Sequence, residues 1–66
     1  MHWSIELRTP NGRLLGSQVL SMDAGEEQRS EAVSRLSQRH PGRNIVSEIC
    51  YRDSTGREVN TYEVSA

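Results

Sequence analysis

The segment from His2 to Arg8 alternates without a break. Trp3, Ile5 and Leu7 fall on one side, and His2, Ser4, Glu6 and Arg8 on the other. A period of two built on β-branched and aromatic residues predicts a half-buried β-strand. It stops at Thr9-Pro10-Asn11-Gly12, where proline presets φ and Asn-Gly tolerates the left-handed backbone of a chain reversal. A second strand is predicted from about residue 13 to 22, so the two form a β-hairpin. Its pattern is mixed: Leu15, Ser17 and Val19 share one face, and Leu14, Gly16, Leu20 and Met22 the other. Either Gly16 marks a bulge that switches register, or both faces of this strand are covered.

A change of period follows. Asp23 and Glu26 have the spacing of a capping box, and Glu26 and Glu27 suit the positive end of a helix dipole. A helix is predicted over residues 24–39, with Ala32, Val33 and Leu36 as a narrow apolar stripe. His40-Pro41-Gly42 ends it, because the residue before proline avoids the helical region and glycine permits reversal. Two more strands are predicted, over residues 44–52 and 57–64, joined by the turn Asp53-Ser54-Thr55-Gly56. In the third strand Ile45, Ile49 and Tyr51 share one face, and Val46 and Cys50 the other. In the fourth, Val59 is out of phase with Tyr62 and Val64, which a slip near Asn60-Thr61 would reconcile. Ser65 and Ala66 are predicted to fray.

These elements predict an α+β fold in the order β-β-α-β-β, as one small domain over residues 1–66. The helix packs on a four-stranded, mainly antiparallel sheet. Two strand orders are compatible with the pattern. A β-grasp-like order places the first and last strands side by side and parallel. The other leaves each hairpin at its own end and is wholly antiparallel.

Composition narrows the chemistry. The chain has 66 residues, and one this short buries only about 60% of its unfolded surface. Leu, Ile and Val number 5, 3 and 5, which is 13 of 66 and about 20%, the compositional edge of disorder. The formal net charge of −1 removes the self-repulsion that would hold the chain open. No stretch approaches the ~18 apolar residues of a membrane span. Met1 to Arg8 lacks the basic start and apolar run of a signal peptide. The lone Cys50 fits a reducing compartment such as the cytoplasm.

All eight basic side chains are arginine. Without lysine there is no Walker-type phosphate loop and no Schiff-base chemistry. His2, His40 and Cys50 have none of the paired spacings of a zinc site, and no cofactor or metal is expected. Cys50 lies mid-strand beside Ile49 and Tyr51 without an adjacent base, and no serine sits in a G-x-S-x-G elbow. The sequence therefore reads as non-enzymatic.

Protein–protein contact is the function class this pattern favours, with a homodimer or another protein as the partner. One helix covers one sheet face, so apolar residues on the other face are expected to be exposed. Leu14, Leu20, Val46 and Cys50 are the candidate interface residues, and strand addition at an open edge is a second route to association. The alternative is weak nucleic-acid binding if Arg8, Arg13, Arg52 and Arg57 converge at one sheet edge. Nine carboxylates and a pI near 6.1 weigh against that alternative. Size and arginine-only bases suit a small bacterial or phage accessory protein.

Overall fold

The computed structural model describes all 66 residues, Met1–Ala66. Strand β1 spans His2–Arg8, β2 Leu14–Ser21, helix α1 Glu26–Arg39, β3 Arg43–Tyr51 and β4 Gly56–Ser65. The four strands form one sheet in the order β2-β1-β3-β4, with every neighbouring pair antiparallel. This is the wholly antiparallel order. The β-grasp-like alternative does not occur, since β1 lies between β2 and β3 and β4 is an edge. Strands β2 and β3 both oppose β1 and so run parallel to each other, which a tight turn cannot connect. The helix makes that crossing, and in doing so packs over β1, β2 and β3.

Register fixes which side chains meet the helix. Trp3, Ile5 and Leu7 lie opposite Cys50, Glu48 and Val46 across the β1–β3 ladder, and opposite residues share a face. Ile5, Leu7 and Val46 are fully buried and join Ala32, Val33 and Leu36 of the helix stripe. Leu15, Leu20, Tyr62 and Val64 pack against the margin of this cluster.

Two bulges explain the mixed strand patterns. Leu7 pairs with Gly16 but Arg8 with Leu14, so Leu15 is the extra residue. It turns toward the core while Leu14 turns away. The expected irregularity in β4 falls one residue early: Ile49 pairs with Glu58 and Glu48 with Asn60, leaving Val59 unpaired. Gly16 has a second role. A Cβ there would lie 3.2 Å from Leu36 Cδ2 and 3.5 Å from His40 Nε2, so its bare backbone lets the helix approach.

The helix ends differ in detail from expectation. Gly25 is the N-cap, and its N–H donates to Gln28 Oε1 at 3.2 Å. Asp23 belongs instead to the preceding turn, where the Ala24 N–H donates to the Ser21 carbonyl. At the other end the His40 N–H reaches the Leu36 and Ser37 carbonyls, and Asn44 Nδ2 donates to the His40 carbonyl at 2.8 Å. Gly42, with φ of +119°, takes a backbone that glycine alone adopts readily. Its N–H and carbonyl both bond Ala66, so the C-terminal tail is tied down rather than frayed.

Candidate interaction surface

The sheet has one covered face and one open face. On the open face, His2, Ser4, Glu6 and Arg8 of β1 are flanked by Ser17, Val19 and Ser21 of β2. Ile45, Ser47, Ile49 and Tyr51 of β3 lie on the other flank. Two ion pairs close on it. Arg8 Nη2 donates to Glu6 Oε1 at 2.7 Å, and Arg43 pairs with Glu63 across β3–β4. Arg43 supplies the hydrogen bond and the charge that hold the Glu63 carboxyl below its usual range. The ring of His2 stacks on Tyr51 at 4.8 Å.

Of the four candidate interface residues, the structure leaves one in the open. Leu14 is 49% exposed on the open face. Val46 is buried against the helix, Cys50 is buried on the same sheet face beside Met22, and Leu20 packs at the core margin, so these three face inward. The outward apolar positions are Val19, which is 65% exposed, and the half-buried Ile45, Ile49 and Tyr51. The inversion on β3 has a clear cause. Glu48 stands between Val46 and Cys50, and a carboxylate there makes the true core face look like the wet one. It is tolerated because Arg29 Nε donates to Glu48 Oε1 at 3.3 Å. Arg29, one of three arginines on the helix, was the available signal.

The Arg29–Glu48 pair belongs to a larger cluster between the first turns of α1 and strand β4. The Arg29 guanidinium lies 4.2 Å over the Trp3 ring, and its Nη1 donates to the Ala24 carbonyl at 2.9 Å. Asn60 Nδ2 donates to Glu48 Oε2 at 3.4 Å. Burial first, and the Glu48 charge second, push the Tyr62 phenol up. These groups border a cavity of about 340 Å³. Because they answer one another, the cluster serves to hold the helix on the sheet.

The candidate arginines do not converge. Arg8 and Arg13 lie by the β1–β2 turn, while Arg52 and Arg57 lie by the β3–β4 turn. Those turns are at opposite ends of β1, a separation of about 20 Å at strand rise. Arg52 and Arg57 do come together, lining a cavity of about 350 Å³ with Trp3 and Cys50. Cys50 itself is a core residue, its Sγ 3.9 Å from Met22 Sδ. No group of three or more His, Cys, Asp or Glu side chains could hold a metal ion, and no helix is long and apolar enough to cross a membrane. Comparison with known families, curated proteins and solved structures finds no match for this chain.

Proposed function

We propose that this chain is a small non-enzymatic protein–protein interaction or regulatory module that works as a homodimer. One observation carries the reading. The helix covers one side of the sheet, and two of the four exposed large apolar residues, Leu14 and Val19, lie on the other side along a single edge strand, about 13 Å apart at strand rise. Isolated exposed apolar residues are ordinary on protein surfaces. Two on one face of one edge strand, with the half-buried Ile49 across Ser4 from Val19, leave apolar surface that association would cover. The free, buried Cys50 fits a reducing setting, and the reading places the module in the cytoplasm.

The experiment is a thermal unfolding series at increasing protein concentration. Association of folded chains raises the midpoint with concentration, by mass action. A midpoint unchanged over a roughly hundredfold range of concentration contradicts the reading.

A second reading, weak nucleic-acid binding, has one supporting observation. Arg52 and Arg57 share a cavity with Trp3, and arginine beside an aromatic ring is a stacking platform for a base. Titration with a single-stranded oligonucleotide at low salt, read by Trp3 fluorescence, tests it. Phosphate contacts are strongest there, so no response at low salt removes this reading.

A further inference from the structure

The sheet has two open edges, and they are built differently. Strand β4 carries Arg57, Glu58 and Glu63 and is broken by the Val59 bulge. Charges and bulges are the usual means by which an edge strand is kept from pairing with another chain. Strand β2 reads Leu-Leu-Gly-Ser-Gln-Val-Leu-Ser over Leu14–Ser21. It contains no charged residue and no proline, and beyond its bulge at Leu15 the run Gly16–Ser21 is regular. It also bears both large apolar residues that the sheet's open face leaves exposed, Leu14 and Val19.

We infer that β2 is the dimer seam: it pairs antiparallel with β2 of a second copy across a two-fold axis near Val19, giving a continuous eight-stranded sheet. This rests on the homodimer reading and names the surface that serves it. Antiparallel pairing about a two-fold axis brings each residue opposite a residue of the same strand. A charged strand such as β4 then tends to place like charges together, for instance Glu63 against Glu63 when the axis passes there. The uncharged β2 avoids this in every register, so a second copy is the occupant it accepts most readily. With the axis at Val19, that valine meets its own copy on the open face, and Gln18 lies opposite Leu20 on the helix face. Both copies then keep their helices on the same side of the joined sheet. The outward N–H and C=O groups of residues 17–21 gain partners from the same residues of the second copy.

Two single variants test the seam, since Val19 is exposed and its replacement leaves the core intact. In Val19→Cys the two new thiols would face each other at the 4.5–5.5 Å Cα spacing of an antiparallel pair, roughly what a disulfide spans. Mild oxidation with oxidised glutathione should give a covalent dimer. Wild type, whose Cys50 is buried, and Thr61→Cys on β4 should stay uncrosslinked. Val19→Arg places two cations in contact across the axis and should weaken dimerisation at least tenfold, with the far-ultraviolet circular dichroism unchanged. If wild type dimerises, Val19→Arg dimerises equally and Val19→Cys does not crosslink, the seam lies elsewhere and this inference fails while the homodimer stands. If wild type is monomeric, both fail.

Discussion

Glu48 sits in the helix-side face of the sheet with only 14% of its side chain exposed. A carboxylate there is stable because Arg29 supplies a charged hydrogen bond, and removal of either partner leaves the other desolvated. Arg29→Met is therefore expected to lower stability by roughly 1–3 kcal/mol. Adding Glu48→Met should recover most of that loss, because an apolar pair of similar volume needs no partner. Urea unfolding followed by the fluorescence of Trp3, the one tryptophan, measures both. A double variant as unstable as the single one contradicts the account. Exposed carboxylates act in a different direction. Hydrogen bonds from Thr55 hold Asp53 below its usual 3.8, and Arg43 holds Glu63 below its usual 4.5. With folded values depressed, their contribution is present above the ordinary values and lost as pH falls through the depressed ones. Stability should thus decline as pH drops below about 4.5, less steeply in Glu63→Gln. Identical acid profiles for the two proteins would be contrary to expectation.

At the scale of elements, the approach of α1 to β2 depends on the bare backbone of Gly16. A larger residue there must push on Leu36, which is itself 5% exposed and held by the core. Gly16→Val is expected to cost about 1–3 kcal/mol through overpacking, read as a lower urea midpoint. An unchanged midpoint means the helix adapts freely. The same glycine shows how much of the fold was legible in the sequence. Strict alternation defined β1, the turn residues defined both hairpins, and Gly16 pointed to the bulge beside it. What the pattern could not give was the sidedness of β3 and β2. The side of β3 depends on its pairing with β1, a long-range register, and on Arg29 reaching Glu48 from 19 residues away. The side of each β2 leucine depends on which residue the bulge extrudes. Hence Val46, Cys50 and Leu20 read as outward and lie inward, whereas Leu14 is outward as expected. The helix start moved for a local reason: Gln28 serves the Gly25 N–H, so Asp23 is not needed as a cap.

The whole molecule is two layers thick only where the helix lies. Its extents of 32 × 23 × 15 Å describe a slab, and a slab of one sheet and one helix leaves a sheet face and two edges to solvent. Of those surfaces β4 is guarded by charge and a bulge, the open face is serine-rich, and β2 carries a bulge at Leu15 but no charge. The proposed association at β2 would pair the one uncharged edge and cover the most exposed strand valine. A chain of this size would gain from such contact stability that its small core does not supply alone. The claim therefore rests on oligomeric state. Light scattering on the size-exclusion peak at micromolar concentration measures it directly. The account predicts a mass of twice the 7.5 kDa chain, and a single-chain mass that persists at the highest soluble concentration would contradict it.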